Sequence, residues 1–225
     1  MFASGLIYSC IDDNWQFLGS SGAYLRRDQY LTAAHCVPDG VQLFVIPGGN
    51  LQPRPVISRL VHPTADLALL RVTMPTDDSE ISREAGLTEH FFFAAQTAVF
   101  DEPDFACHGY PTEGADSNMP TARTFKGHML RWFNYEDSQG RKYSAYEMNC
   151  PAPMGLSGSL VSLPSARREA FAVVTANHEA YAIVNMVSEV DDDGVRYVER
   201  TNRVVSYGIA ASIANGAWVE KNART

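Results

Sequence analysis

Three separated stretches hold a histidine, an aspartate and a serine that could together make a nucleophile. They are Leu31-Thr32-Ala33-Ala34-His35-Cys36, His62-Pro63-Thr64-Ala65-Asp66-Leu67-Ala68-Leu69-Leu70 and Gly155-Leu156-Ser157-Gly158-Ser159-Leu160. A serine hydroxyl reacts poorly at neutral pH unless a base lies within hydrogen-bond reach, and that base needs a partner to fix its tautomer. Ser157, His35 and Asp66 match those roles. The chemistry is acyl transfer, whose intermediate needs donors aimed at a developing oxyanion. A glycine before the serine lets backbone N–H groups come close, so Gly155 and Ser157 are the expected donors. Each residue alone also fits an ordinary structural role; their order, each inside its own longer motif, favours a triad. No cofactor is required, and none of His62 with Asp66, His108 beside Cys107, or Asp191 to Asp193 has the spacing of a zinc or calcium site.

The elements that must position these residues read as β. Short apolar runs up to about residue 75 are punctuated by Asp12-Asp13-Asn14, Pro38-Asp39-Gly40 and Pro47-Gly48-Gly49-Asn50, as in a barrel or sandwich. A polar stretch from Pro75 to Glu89, with a short helix or turn near Ser82 to Ala85, looks like the joint between two halves. Further strands are predicted at Thr97 to Phe100, Phe105 to Tyr110, Thr121 to Trp132, Lys142 to Met148, Ser159 to Ser162, Phe171 to Thr175, Tyr181 to Val187 and Val195 to Val198. Asp191-Asp192-Asp193-Gly194 is a turn before the last of these. Val204, Val205, Ile209, Ile213 and Ala217 then recur at three- and four-residue steps, which predicts a C-terminal helix over about 202–217.

Size and composition bound the rest. With 225 residues, 45% of them hydrophobic and 20% charged, the chain can bury a sizeable core. A net charge of −8 disfavours nucleic acid or an anionic membrane as partner. No apolar stretch reaches the roughly 20 residues that a membrane helix needs. Residues 1–10 carry no basic leader or long apolar run, from which a cytoplasmic location is expected; a secreted or periplasmic protein with its signal removed is the alternative.

The three motifs resemble those of the trypsin-like (chymotrypsin-fold) serine peptidases, which carry T-A-A-H-C, D-I-A-L-L and G-x-S-G segments in that order. Phe105-Ala106-Cys107-His108-Gly109-Tyr110-Pro111 resembles the strand opening that family's second barrel, and the match extends over most of the chain. The resemblance implies two six-stranded antiparallel β-barrels with the site between them, the first over about 1–90 and the second over about 91–200, followed by the helix. An α/β-hydrolase is disfavoured, because its serine comes first within G-x-S-x-G; here the serine comes last and Ser159 stands two residues after it.

Departures from the family pattern narrow the expectation. Leu156 replaces the aspartate that pairs with a newly cut N-terminus, so activation by N-terminal insertion is not expected. Cys36 lacks its usual partner, with Ser20 near the expected position, and Cys10, Cys107 and Cys150 fall away from the usual pairs; a Cys10–Cys36 bridge stays open. Pro151 stands where trypsin has its pocket aspartate. The resemblance places the pocket walls at Pro151 to Met154 and at Thr175, Ala176 and Asn177, with Gly194 to Arg196 closing the back, a set suited to small, polar or apolar side chains. The reading is thus a serine endopeptidase acting on a protein or peptide substrate without a cofactor. Its rivals are a catalytically silent peptidase-like binding module and a protease domain controlled by a regulatory partner or neighbouring domain.

Overall fold

The computed structural model describes residues 4–23, 28–48, 52–74, 92–93, 104–112, 120–213, 218 and 221–222. The joint expected over 75–89 and the strand expected at 97–100 lie outside them.

Six strands form the first barrel: β1 (Ser4–Ile11), β2 (Asn14–Ala23), β3 (Gln29–Thr32), β4 (Gln42–Pro47), β5 (Arg54–Val61) and β6 (Ala68–Val72), closed in the order β1-β2-β3-β6-β5-β4. Local chemistry sets the first hairpin. Asp12 and Asp13 take φ of 49° and 62°, the positive values that a tight two-residue hairpin turn requires and that aspartate tolerates.

The second half contains β7 (Phe92–Phe93), β8 (Asp104–Gly109), β9 (Arg123–Glu136), β10 (Lys142–Met148), β11 (Leu160–Leu163), β12 (Ala166–Val190) and β13 (Arg196–Ser212). Antiparallel neighbours run β11-β8-β9-β10-β13-β12, and a β11–β12 pairing closes these six into a ring, with β7 added in parallel to β12. The architecture is therefore all-β with two barrels.

Alternation along the strands builds two apolar layers. Phe105, Cys107, Met129, Tyr146, Met148, Val161, Phe171 and Val174 fill the second barrel. The opposite face of the same sheet, through Tyr143, Ala145, Val173, Ile209, Ala211 and Ile213, joins one buried cluster with Ile7, Leu31, Ala34, Val45 and Leu70 of the first barrel. The barrels thus share a core layer, and the candidate site lies along its edge.

The helix expected over 202–217 is corrected: residues up to Ser212 are strand, paired with β12 and, from Gly208 to Ala211, with β10. The three- and four-residue recurrence misled because this strand changes environment. Val204 is exposed on a projecting hairpin, whereas from Gly208 to Ile213 every residue is buried. Beyond the strand, Trp218, Lys221 and Asn222 have helical backbone, and the Trp218 ring packs edge-on against His62 at 4.8 Å.

Candidate active site

Strand β3 ends at Thr32, and a 3-10 turn over Ala34–Cys36 follows. Ala34 and Cys36 point into the core, which turns His35 outward with 38% of its side chain exposed. Small residues are needed on either side of His35 because both neighbours are buried.

Asp66 comes from the loop before β6. His62 organises that loop: its Nδ1 accepts the N–H groups of Thr64 at 3.1 Å and Ala65 at 2.9 Å, and its own N–H reaches Leu67 O at 2.8 Å. Asp66 is left 5% exposed in its side chain, a cost that its partners must offset. Its Oδ2 lies 2.7 Å from His35 Nδ1, its Oδ1 accepts the His35 backbone N–H at 3.0 Å, and Arg141 Nη2 reaches the same Oδ1 at 2.9 Å.

These contacts set the charge states. Burial pushes the Asp66 carboxyl up, but the His35 hydrogen bonds and the Arg141 cation outweigh it and hold the group below the usual carboxylate range. Burial likewise pushes His35 down, and the hydrogen bond and charge of Asp66, with a contribution from Cys36, raise it well above an ordinary histidine. The imidazolium is thereby favoured, as a base that must carry a transient positive charge requires.

Ser157 sits in a loop made of turns. Leu156 N–H donates to Pro153 O at 3.0 Å, Gly158 N–H to Val174 O at 2.7 Å and Ser159 N–H to Leu156 O at 3.0 Å. Gly155 and Gly158 take φ of +87° and +88°, and at Gly158 an added methyl would lie 1.9 Å from Ser20 O and 2.2 Å from Thr32 Oγ1. Only glycine fits there. Leu156 is fully buried, so its side chain packs the loop into the core.

Ser20 of β2 fastens this loop to the first barrel. Its N–H donates to Ser157 O at 2.8 Å, its hydroxyl donates to Gly155 O at 2.7 Å and accepts Tyr110 N–H at 2.9 Å, and its carbonyl accepts the Thr32 hydroxyl at 2.7 Å. The Cys36 thiol also donates to Ser157 O at 3.8 Å. The residue after His35 therefore touches the serine loop directly.

The expected pocket residues fall into two groups. Asn177 bonds both backbone groups of Ala152, accepting its N–H at 2.6 Å and donating to its carbonyl at 2.5 Å, so the chain beside Pro151 is brought against β12. Thr175 is buried, donating to Ile209 O and accepting from Tyr143 Oη, both at 3.4 Å, while half-buried Ala176 packs on the shared core. The back wall is corrected. Gly194 to Arg196 lie at the tip of the β12–β13 hairpin, where Arg196 bonds Ser188 at 2.8 Å; it is Gly208 that lies against this segment, its N–H on Cys150 O at 2.8 Å.

The cysteine expectation is also refined. All four cysteines are unbridged, which removes the Cys10–Cys36 alternative. The residue facing Cys36 is Gly19 rather than Ser20: a methyl on Gly19 would fall 2.5 Å from Cys36 Sγ. Among the described residues no three His, Cys, Asp or Glu side chains gather as a metal site.

Neither protein-family models nor curated protein sequences give a match to the chain. Solved structures do. The Rv3671c protease from M. tuberculosis in its active form superposes with a TM-score of 0.61 at 16% identity, over 95% of this chain and 78% of that one. The thermostable serine protease AL20 from an extremophilic microorganism gives 0.61 at 13% identity, over 96% and 93%. The HtrA-type protease AlgW, solved with a decapeptide, gives 0.64 at 13% identity, covering 97% of this chain and 63% of that chain. The chain has the trypsin-like serine protease fold. At these identities the likeness is one of fold, and the site stands on its own residues. Within that fold, sequence reasoning missed Arg141 and Ser20. Asp137 to Gly140 before Arg141 is legible as a turn, but nothing local says that the arginine reaches Asp66.

Proposed function

We propose that the protein is a serine endopeptidase that hydrolyses a peptide bond of a protein or peptide substrate through an acyl-enzyme. The observation that carries this reading is the His35–Asp66 pair beside a glycine-shaped serine loop fastened to Ser20 and Cys36. In this reading Ser157 Oγ attacks the scissile carbonyl and His35 Nε2 takes its proton, while Asp66 holds Nδ1–H and stabilises the imidazolium. The N–H groups of Gly155 and Ser157 receive the oxyanion, for which the positive φ of Gly155 supplies the required turn. His35 then protonates the leaving amine, and water repeats the sequence to release the acyl group.

Two further features belong to the proposal. Buried Leu156 leaves no carboxylate for an inserted N-terminus, so the site is formed without that step or ordered by a partner. Pro151, Thr175, Ala176 and Asn177 carry no charge, which favours small, polar or apolar residues at the cleaved position.

Ser157→Ala is expected to lower kcat/KM by several orders of magnitude on a cleavable peptide. A fluorophosphonate should label the wild type and leave the variant unlabelled. Near-wild-type hydrolysis by Ser157→Ala would sink the assignment.

A further inference from the structure

Arg141 stands just before β10, at the end of the turn that joins it to β9, and belongs to the second barrel; Asp66 belongs to the first. The turn is built to present it. Asp137 Oδ1 accepts the N–H groups of Gln139 and Arg141, both at 2.9 Å, Asp137 N–H donates to Arg141 O at 3.1 Å, and Gly140 takes φ of +77°. Asp137 Oδ2 then receives Arg141 Nε at 2.6 Å, while Nη2 lies 2.9 Å from Asp66 Oδ1. One guanidinium spans two carboxylates, and its side chain is only 20% exposed. A planar fork can hold both at once; an ammonium cannot do so in the same geometry.

From this bridge, and resting on the triad reading above, we infer that Arg141 is a positioning residue for catalysis, locking the Asp66 carboxylate across the barrel interface so that Oδ2 faces His35 Nδ1.

Oδ1 is occupied by the His35 backbone N–H and by Arg141, which leaves Oδ2 as the oxygen for the ring. Rotation of the carboxylate would break two contacts at once. The same cation weakens the pull of Asp66 on the His35 proton, since a positive charge near the pair disfavours the imidazolium. The groups acting on Asp66 are His35 from the 3-10 turn, Arg141 from the β9–β10 turn, Tyr135 of β9 and Tyr143 of β10, with Asp137 beyond the arginine. Both tyrosines are pushed up, first by burial and then by neighbouring carboxylates including Asp66, so they stay neutral where histidine titrates.

The test compares wild type, Arg141→Gln and Arg141→Lys, with rates normalised to sites counted by fluorophosphonate labelling. Arg141→Gln should lower kcat roughly 10- to 100-fold with KM little changed. Its acid limb of kcat/KM should move up by about half a pH unit or more, because the competing cation is gone. Arg141→Lys keeps a charge but loses the fork: its limb should stay near wild type while kcat falls by a smaller factor. A merely structural arginine would lower the fraction of labelled sites and leave per-site kcat and the limb in place, and that result overturns the inference. If Arg141→Gln does not fold, a wild-type per-site kcat in Arg141→Lys overturns it instead. Failure of the triad reading looks different, since an unlabelled wild type, or an active Ser157→Ala, strikes that reading whatever Arg141 does.

Discussion

The two halves of the site are held by different forces. Asp66 and His35 are fixed by side-chain charge: a carboxylate shared between an imidazole, a backbone N–H and a guanidinium from the other barrel. Ser157 is fixed by backbone: turns at positive φ, carbonyls tied to Ser20, and a glycine pressed against β2. The division suits the chemistry. A base must change charge during the reaction, so tunable electrostatics belong around it, whereas a nucleophile and its oxyanion donors need fixed geometry. The halves should therefore fail differently: damage to the first moves the pH profile along with the rate, and damage to the second lowers stability and rate with the profile in place.

The largest effect on stability should come from Gly158→Ala. The added methyl would meet Ser20 O at 1.9 Å and Thr32 Oγ1 at 2.2 Å, on a backbone with φ of +88°. Neither the β2 backbone nor the buried Thr32 can yield cheaply, so a loss of about 3 kcal/mol or more is expected. For a chain of this size that lowers Tm by roughly 6–12 °C, and fluorophosphonate labelling should be lost with it. A Tm within about 2 °C of wild type would break the claim that this half is built on backbone fit.

Ser20→Ala is the gentler probe. It deletes the hydroxyl that donates to Gly155 O and accepts Tyr110 N–H while keeping the N–H bond to Ser157 O. The expected cost is about 1–3 kcal/mol, because two buried backbone groups lose their partner. The per-site rate should fall as the loop loosens, with the acid limb of kcat/KM unchanged, whereas Arg141→Gln moves that limb. A limb that moves in Ser20→Ala would show that the two halves are not separable.

What the sequence made legible follows the same division. Turn chemistry is local, so Asp12-Asp13 and the glycines around Ser157 mark their structures, and the His35, Asp66 and Ser157 segments carry their own short motifs. Three features were not legible, each for its own reason. Arg141 acts across barrels, and no spacing along the chain encodes that contact. Gly19 and Ser20 are neighbours on one strand, and a one-residue ambiguity exchanges the face toward Cys36 with the residue that binds the serine loop. The third is the continuation of β13: the two strands of its hairpin and the turn at Asp191 to Gly194 were legible, but not that the strand runs on to Ser212. That strand passes from a projecting hairpin, where Val204 is exposed, into a fully buried run from Gly208 to Ile213, so it shows no steady in-out alternation and its apolar residues imitated a helix.

The smallest effect is one of pH, and it sets stability against activity within the charged half. Asp66 is held below its ordinary value, so its contribution to stability is present above about pH 3.9 and fades as pH falls through the lowered folded value. His35 is raised, so its contribution is full below about pH 6.5 and fades as pH rises through the raised folded value. The pair therefore stabilises most fully between those two pH values, where both groups are charged. Catalysis asks for the reverse at His35, because only the neutral imidazole accepts the serine proton. As pH rises above about 6.5, kcat/KM should climb while Tm slowly declines. Measured side by side across neutral and alkaline pH, the two curves should run in opposite directions. A Tm that does not change across this range would mean that His35 titrates as an ordinary histidine, and a Tm that rises with the rate would mean that burial lowers it; either outcome overturns the claim that Asp66 sets its charge.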